Sequence, residues 1–392
     1  MNWNRIITAA VMGAVCLLAP LQTRAAESYT AVDLGDGTVA VKCNDPSVIH
    51  ANIPAQLDGK TVTGLAANCF DGCSSLESVT LPEGILSIGE YAFQGCVMLD
   101  TVEIPASVDM IDNFVFEGCY SLKSISVAEE NTHYIAPQGV LYTADQTMLL
   151  RYPAAKEDTA YVVSDSCYTI SPWAFTDCVN LKKVEMRNVT AIGADCFMGC
   201  TSLKTATLSR GITELNGAAF AKCSNLQEIT LPPNLASIGD RCFFGCAALG
   251  KLTLPDNLKS IGEMAFYGCT GLTFLYVPES VTSIGKHGIG YSVSEDAKTV
   301  LIPGFRMETT VGSYAAKYAS ENGIDCHLML SRSKVVLFLV LAVLAALAII
   351  ALAVNIRNRR EKARAEQERL AEEEKQKRLA ERRKARQQKK KE

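Results

Sequence analysis

Apolar positions in the middle of the chain recur in short runs at a fixed spacing. Ser74–Cys96 reads SSLESVTLPEGILSIGEYAFQGC, and Ala247–Cys269 reads AALGKLTLPDNLKSIGEMAFYGC. Each unit has an LxxVxL stretch or a close variant, a proline, a second apolar stretch that ends in IG, and an AF pair shortly before a cysteine. The same frame covers Val97–Cys119, Thr201–Cys223 and Ser224–Cys246 and, one residue shorter, Val179–Cys200. A fixed period of this length predicts a repeat architecture.

The alternation within one unit predicts a short β-strand. Residues two apart share a strand face, so Val79 and Leu81 are expected to point inward while Ser78 and Thr80 point outward. A lone unit would bury about seven apolar side chains, worth ~1.5–3 kcal/mol each, against an ordering cost of ~1.5 kcal/mol per residue. The units are therefore predicted to stack on a shared core. The glycine after each second apolar stretch, such as Gly239, is expected to supply the positive φ of a tight turn.

The recurring frame CxxLxxVxLPxxLxxIGxxAFxxC, from about residue 48 to residue 290, resembles the treponemal-type leucine-rich repeats of BspA-like bacterial surface proteins. The resemblance implies a leucine-rich repeat β-solenoid of short parallel strands in a right-handed stack. It also implies an exported surface protein, because members of this family are exported, some are associated with adhesion to host or matrix proteins, and many have no known ligand.

Segments that leave the frame predict the remaining parts of the chain. Between Cys119 and Cys178 the spacing is longer than two units, and Asn131–Tyr152 is predicted to form an inserted β-hairpin with residues 144–146 near its tip. After Tyr291 the frame fails, and Val311–Ile324 is predicted to contain a short capping helix. The predicted boundaries are 1–25 for a signal peptide, 26–66 for an N-terminal cap, 67–290 for the repeats with the insertion at about 128–166, 291–330 for a C-terminal cap, 335–354 for a transmembrane helix and 355–392 for a basic cytoplasmic tail.

Both ends of the chain indicate export and membrane anchoring. The apolar run Ile6–Ala19 after a positively charged start, with small residues before a cut at Ala25 or Ala26, is typical of a secretory signal peptide. Val335–Val354 is an uninterrupted apolar run that would span ~30 Å as a helix, the thickness of the hydrocarbon layer of a bilayer. Residues 355–392 carry a net charge of +8 and residues 1–354 a net charge of −12. Positive charge beside a membrane span stays in the cytoplasm, so a single-pass topology with the repeats at the cell surface or in the periplasm is predicted.

Cysteine usage indicates structural thiols. Cys69, Cys196 and Cys242 occupy a position where other units carry alanine or valine, which indicates a small buried slot. Neighbouring units stand ~4.8 Å apart, whereas a relaxed disulfide needs Cβ atoms ~3.5–4.5 Å apart, so buried thiols are favoured over disulfides in the ladder. Disulfides stay an alternative because the chain is predicted to be exported. Whether Cys43 and Cys326, which lie outside the ladder, form a disulfide is left open. The predicted structural ladder is Cys73, Cys96, Cys119, Cys178, Cys200, Cys223, Cys246 and Cys269.

Signals for catalysis, metals and cofactors are weak. No histidine lies near a CxxxC pair, so a zinc site is not predicted. Gly245–Leu252 imitates a phosphate-binding loop, but Leu252 stands where the Mg²⁺-binding hydroxyl belongs. None of the four histidines, His50, His133, His287 and His327, lies in a catalytic signature. No cofactor, no enzymatic activity and no nucleic-acid partner are therefore expected, although a triad scattered along the sequence stays an alternative.

The exposed sheet face is the predicted binding site for a protein or matrix ligand, because rigid repeat scaffolds carry function on such faces. Phe274 and Tyr276 stand out as aromatic anchors, and the alternative is a solvated face rich in threonine because threonine suits strands. A second hypothesis is a transmembrane scaffold or sensor whose tail recruits a cytoplasmic partner or anionic lipid. The simpler interpretation of the tail is a stop-transfer anchor with a solvated extension. The candidate face comprises Ser78, Thr80, Thr101, Glu103, Lys183, Glu185, Thr205, Thr207, Glu228, Thr230, Lys251, Thr253, Phe274 and Tyr276.

Overall fold

The computed structural model describes residues 28–388, which divide into two units between Met329 and Leu330. The first unit is a β-solenoid and the second is a single long helix. The predicted signal peptide, residues 1–25, lies outside the described residues. The leucine-rich repeat solenoid predicted from the sequence is confirmed by its parallel strand ladders.

The solenoid begins with a small sheet in which β1 and β2 are antiparallel and β2 then pairs in parallel with β5. The strand β3 lies within the predicted cap and already pairs in parallel with the first strand of the repeats, Ala51 opposite Val79. The N-terminal strands are β1 Tyr29–Asp33, β2 Val39–Cys43, β3 His50–Asn52, β4 Gln56–Leu57 and β5 Lys60–Leu65.

Most rungs, meaning repeat units, contribute two short strands to two separate ladders. The LxxVxL stretch forms the first strand, and its alternation buries one residue and exposes its neighbours, as for Val79 between Ser78 and Thr80. The stretch that ends in isoleucine before the glycine forms the second strand, such as Ser87–Ile88. The first rungs contain β6 Ser78–Thr80, β7 Ser87–Ile88, β8 Thr101–Ile104, β9 Met110–Ile111 and β10 Ser124–Val127.

The predicted β-hairpin insertion is confirmed. The third of its strands is antiparallel to the second, with a turn at residues 144–147, and the second is also antiparallel to the first. A 3-10 turn, Pro137–Gly139, connects the first of these strands to the second. The buried core falls into two clusters, one ending at Leu141 and the other beginning at Val140, so the insertion divides the core. Its strands are β11 Tyr134–Ile135, β12 Leu141–Thr143 and β13 Met148–Arg151. The strand β14 Ala160–Val162 follows the hairpin and pairs in parallel with the first strand of the next rung.

The later rungs stack regularly from β15 onward. Their phenylalanines form a column of parallel rings, with centroids 5.1 Å apart between Phe197 and Phe220 and 5.6 Å apart between Phe220 and Phe243. These rings are fully buried, so the column is the spine of the shared core. The strands are β15 Thr169–Ile170, β16 Lys183–Glu185, β17 Ala191–Ile192, β18 Thr205–Thr207, β19 Glu214–Leu215, β20 Glu228–Thr230, β21 Ser237–Ile238, β22 Ser260–Ile261, β23 Phe274–Tyr276 and β24 Ser283–Ile284.

The glycine that recurs after the second strand is needed for a different reason from the predicted one. Gly239 does not have a positive φ; Arg241, two residues later, does, at 54°. A Cβ atom on Gly239 would lie 2.7 Å from the backbone nitrogen of Gly217 in the preceding rung. Glycine is therefore required for the close approach of two backbones, and the expectation of a positive φ at this position was wrong.

The C-terminal end of the solenoid is closed by strands and a short helix. The helix α1 begins after Ser313, whose side chain accepts a hydrogen bond from the Ala316 N–H, and it ends at Gly323 with a left-handed φ of 64°. Its buried face, which includes Ala315 and Tyr318, joins the core. The elements are β25 Tyr291–Val293, β26 Thr299–Leu301, β27 Arg306–Thr310, α1 Tyr314–Asn322 and β28 Asp325–Met329.

The second unit is the helix α2, Arg332–Gln388. It contains an 18-residue window with a mean hydropathy of 3.4, and its length and composition make it a candidate membrane span. Beyond the apolar part the helix continues as a charged segment in which ion pairs join Arg357 to Glu361 and Arg378 to Glu374.

Candidate binding face

The candidate face is the outward side of the first strand of each rung. Val79, Val184 and Ile229 point into the core, where each is at most 9% exposed, while the residues on either side of them are exposed or half-buried. The fourteen predicted residues lie on three sheets and one segment outside them: Ser78, Thr80, Thr101 and Glu103 on the first sheet, Lys183, Glu185, Thr205, Thr207, Glu228 and Thr230 on the second, Lys251 and Thr253 in the separate segment, and Phe274 and Tyr276 on the third.

Lys251 and Thr253 differ from the other predicted residues because the segment 251–253 does not form a strand. Gly250 precedes it, and Leu252 stands where most of the first strands carry a β-branched residue. Glycine and an unbranched centre both weaken a strand. The predicted face is therefore not one continuous sheet, because the second sheet ends at β20 and β23 belongs to a third.

The third sheet carries the most distinctive surface of the candidate face. Phe274 is 46% exposed and lies opposite Arg306 on β27, while Tyr276 lies opposite Glu308. The Nδ1 atom of His327 is 3.2 Å from a carboxylate oxygen of Glu308. We call the outward residues of this sheet the terminal patch: Phe274, Tyr276, Arg306, Glu308, Asp325 and His327.

Four residues of the terminal patch were missed by the sequence analysis. Arg306 and Glu308 flank the buried Met307, and Asp325 and His327 flank the half-buried Cys326. This is the outward, inward, outward alternation of the other first strands, but it lies beyond Tyr291, where the repeat frame has already failed. Alternation alone, without the repeat, was the signal that could have found them.

The four histidines lie on different elements. His50 is the one that pairs with a potential nucleophile, since its Nδ1 atom is 2.9 Å from the Ser78 hydroxyl on the exposed face. No carboxylate among residues 28–388 hydrogen bonds to His50, so the third group of a serine–histidine–acid triad is not in place. His133 contacts the Thr132 hydroxyl at 3.2 Å, and the His287 ring lies 4.6 Å from that of Tyr291.

The predicted cysteine ladder forms a buried column. Each member is at most 3% exposed, and burial raises the pKa of the Cys269 thiol to about 12. All fourteen cysteines of residues 28–388 carry free thiols, including Cys167, which the sequence analysis left unassigned. Seven of the thiols donate to the carbonyl of an aromatic residue one rung earlier: Cys96 to Phe70, Cys119 to Phe93, Cys178 to Tyr152, Cys200 to Phe175, Cys223 to Phe197, Cys246 to Phe220 and Cys269 to Phe243.

The cysteines outside the column differ in how deeply they are buried. Cys69, Cys196 and Cys242 fill fully buried slots beside the phenylalanine column. Cys43 and Cys326 are half-buried. In the part of the chain that the structure describes, no group of three or more His, Cys, Asp or Glu residues is arranged to hold a metal ion.

The stretch that imitates a phosphate-binding loop, Gly245–Leu252, lies across the boundary of two rungs. Gly245 takes a positive φ of 73° in the turn, and the chain continues from Leu252 without entering a helix. A phosphate-binding loop needs the N-terminus of a following helix, so this segment does not have the geometry of a nucleotide site.

A family model described as the BspA type leucine-rich repeat region matches residues 49–140 and 168–296, with six copies. The chain belongs to this family. The two matched ranges leave out residues 141–167, which contain most of the inserted hairpin, and the helix α2, and they contain most strands of both ladders. Proteins of the BspA type are bacterial surface proteins, and leucine-rich repeat solenoids of this kind are typically binding scaffolds without catalytic activity.

Solved structures of two bacterial proteins are similar to this chain, and the match to the first of them shows the fold. The pneumococcal vaccine antigen PcpA matches with a TM-score of 0.51 and 21% identity, over 73% of this chain and 68% of that chain. A leucine-rich cell surface protein from Faecalibacterium prausnitzii matches with a TM-score of 0.42 and 23% identity, over 69% and 94% of the two chains. No curated protein sequence shows a significant match to the chain. At these identities the similarity concerns the fold alone.

Proposed function

We propose that this BspA-type protein is an extracytoplasmic recognition protein that binds a protein or matrix ligand through the terminal patch of its candidate face, as an adhesin does. The observation that carries the proposal is the exposure of Phe274, which lies on the outward side of the edge strand β23 of the third sheet with 46% of its surface open to solvent. A large aromatic side chain costs free energy when it is left in water, and such residues are enriched at binding hot spots.

The surroundings of Phe274 support binding of a polar macromolecule rather than of a small apolar ligand. Arg306 lies beside it in register and Asp325 lies one strand further away, and Tyr276, Glu308 and His327 form the neighbouring row. Aromatic residues beside polar and charged ones are common in protein-binding surfaces. The charges on the border would set the orientation of the ligand, and the rings would supply most of the binding free energy.

Membrane anchoring is part of the same proposal. Val335–Val354 is fully apolar and its side chains are exposed along α2, which favours a lipid environment. The basic segment 355–392, with a net charge of +8, favours a cytoplasmic C-terminus. The solenoid would then face outward, at the cell surface or in the periplasm according to the type of cell envelope.

The test uses the full chain displayed on cells and immobilised extracellular-matrix and host-surface proteins as probes. Replacing Phe274 and Tyr276 together by alanine should weaken binding at least about tenfold. The matched control replaces Thr205 and Thr207, two positions of the same kind on the second sheet, and should leave binding unchanged. Equal binding by the parent and the Phe274/Tyr276 variant would exclude the terminal patch as the ligand site.

A second candidate function is a transmembrane scaffold or sensor. The observation in its favour is that α2 does not end at the edge of the apolar run but continues to Gln388, with i,i+4 ion pairs such as Arg378–Glu374 at 3.0 Å. Such pairs stabilise an isolated helix, so the tail would present a defined cytoplasmic surface to a protein partner or to anionic lipid. Deletion of residues 361–392 separates the two functions. An adhesin keeps ligand binding and surface display, whereas a scaffold loses its cytoplasmic partner.

A further inference from the structure

The rung that contains the inserted hairpin has a shorter turn than the others. In a regular rung the phenylalanine of the column comes five residues after the second strand's isoleucine, as for Ile170 and Phe175. Leu149 pairs in register with Ile170, and the ring of Tyr152 stacks on that of Phe175 with centroids 4.9 Å apart. Tyr152 thus takes the column position only three residues after Leu149. The hairpin rung therefore lacks part of the turn, and a notch is left at this corner of the solenoid.

The side chain of Arg151 lies at the base of this notch. It is 7% exposed, and its Nη1 atom donates a hydrogen bond to the Trp173 carbonyl at 2.6 Å. Its Nε atom is buried and has no hydrogen-bond partner within residues 28–388. No aspartate or glutamate of this part of the chain forms an ion pair with the guanidinium, which cannot lose its charge at ordinary pH. Burial raises the pKa of Asp177, and the charge of Arg151 partly offsets that rise, so Arg151 has a carboxylate at longer range but no ion-pair partner. A buried cation without a direct partner is costly.

The notch also exposes backbone N–H groups that elsewhere are bonded. In the preceding rung, the N–H groups of Tyr91 and Phe93 donate to the carbonyls of Asn113 at 3.3 Å and Val115 at 2.9 Å, one rung further along. The equivalent N–H groups one rung later belong to Phe114 and Phe116. They find no acceptor among residues 28–388, because the shortened turn leaves no carbonyl opposite them. Backbone donors that lack a protein acceptor are normally satisfied by another group, so these two N–H groups and Arg151 together favour a negatively charged group or another strong hydrogen-bond acceptor.

A cavity of about 80 Å³ joins these donors. The rings of Phe114 and Trp173 meet edge to face with centroids 5.9 Å apart and form one wall. At roughly 10–15 Å³ for each water-sized atom, the cavity holds about five to eight such atoms. This is the size of one small oxyanion. The rim carries Asp112 and Glu117, and a carboxylate oxygen of Glu117 accepts a hydrogen bond from Gln94 Nε2 at 3.0 Å rather than from Arg151.

We propose that this notch is a binding site for a small oxyanion, a carboxylate or a tetrahedral phosphate or sulfate group. The planar guanidinium of Arg151 would donate through Nε and its outer amino group, a geometry that matches two oxygens of such a group. The N–H groups of Phe114 and Phe116 would bond a remaining oxygen, as backbone donors do in other anion sites. The site is independent of the terminal patch and lies at the join between the two core clusters, so an anion there would also tie the two parts of the solenoid together.

The rim carboxylates give the site a testable electrostatic signature. Glu117 is half-buried at the edge of the cavity, and its charge would repel an anion bound to Arg151. Glu117→Gln keeps the shape and the hydrogen bond to Gln94 while removing that charge. This substitution should therefore strengthen anion binding, by about two- to fivefold for a partly screened charge.

The experiment uses the intrinsic fluorescence of Trp173, which lines the cavity. The chain has two tryptophans, so Trp3→Phe leaves Trp173 as the only one. The full chain in nonionic detergent is titrated with sodium phosphate, sodium sulfate and sodium acetate, with sodium chloride holding the ionic strength constant. A saturable change with phosphate and sulfate identifies a tetrahedral anion, a saturable change with acetate identifies a carboxylate, and either result supports the proposal.

The variants decide whether Arg151 holds the anion. Arg151→Met keeps a long side chain in the notch but removes the charge and the donors, and the affinity should fall at least about tenfold. The proposal is overturned if the parent chain shows no saturable change in Trp173 fluorescence, or if Arg151→Met binds the anion with the same affinity as the parent chain. If Arg151→Met does not fold, Glu117→Gln decides alone, and an unchanged or lower affinity in that variant overturns the proposal.

Discussion

The Sγ atom of Cys223 donates a hydrogen bond to the backbone carbonyl of Phe197, one rung earlier, across 3.1 Å. The thiol is fully buried, so it both fills space and links two rungs. Cys223→Ala removes the sulfur and leaves a small cavity. We expect it to lower the free energy of unfolding by about 1–2 kcal/mol, measured by urea denaturation followed by circular dichroism.

The control for this prediction is Cys326→Ala. Cys326 is half-buried and lies outside the column, on β28, so its loss should change the free energy of unfolding by no more than about 0.5 kcal/mol. A loss of the same size in both variants would mean that the column contributes nothing specific to stability.

Repetition explains why so much of this fold could be predicted from the sequence. Within one rung the pattern is short and ambiguous, but six matching copies make the inward positions certain. Val79 and its equivalents, the phenylalanine column and the cysteine column all follow from that frame. The hairpin was also predictable, because Asn131–Tyr152 lies in the lengthened spacing between Cys119 and Cys178, two successive cysteines of the column.

What could not be predicted depends on contacts between rungs. The glycine that follows the second strand in several rungs is needed because two backbones approach, as at Gly239 and Gly217, and a single rung does not reveal that contact. The anion notch at Arg151 arises from residues that a shortened turn leaves out. The rest of the terminal patch, such as Arg306, joins Phe274 only through strand pairing beyond the last recognisable repeat.

Two substitutions in the turn that contains Gly239 are expected to differ strongly in their effect on the free energy of unfolding. Gly239→Ala would place a Cβ atom 2.7 Å from the Gly217 nitrogen, so the free energy of unfolding should fall by about 1–3 kcal/mol. Arg241 is exposed and has a φ of 54°, a conformation that favours glycine. Arg241→Gly should therefore leave stability unchanged or raise it by up to about 1 kcal/mol. Denaturation curves of the two variants measure the contrast, and a stable Gly239→Ala protein would contradict the steric explanation.

Cys43 is predicted to be the most reactive thiol of the solenoid. It is half-buried, and a hydrogen bond from the Cys73 thiol lowers its pKa to about 7. The thiolate is the nucleophile, so iodoacetamide at neutral pH should label Cys43 at least about tenfold faster than Cys326, whose pKa is raised by desolvation. Peptide mapping by mass spectrometry measures both rates in one sample. Removing the hydrogen bond by Cys73→Ala should slow the labelling of Cys43, and an unchanged rate would show that exposure alone controls its reactivity.

Alkaline pH should destabilise the solenoid through the buried thiols. Burial raises the pKa of Cys119 and of Cys269 to about 12, from an ordinary value of 9.0. Below pH 9 both the folded and the unfolded chain hold these protons, and the stabilising contribution is complete. As the pH rises from about 9 towards 12, the unfolded chain loses the protons first, so each thiol lowers the free energy of unfolding by up to about 1.4 kcal/mol per pH unit.

The midpoint of urea denaturation, measured between about pH 8 and pH 10, tests this prediction below the range in which tyrosines dominate. Cys269→Ala removes one such group. The slope of its unfolding free energy against pH should therefore be shallower than that of the parent chain by up to about 1.4 kcal/mol per pH unit, the contribution of one proton. Cys326→Ala is the matched control, because its half-buried thiol is less desolvated. If the parent chain and Cys269→Ala show the same pH dependence, the Cys269 thiol ionises alike in the folded and unfolded states, and the column cannot be the source of alkaline sensitivity.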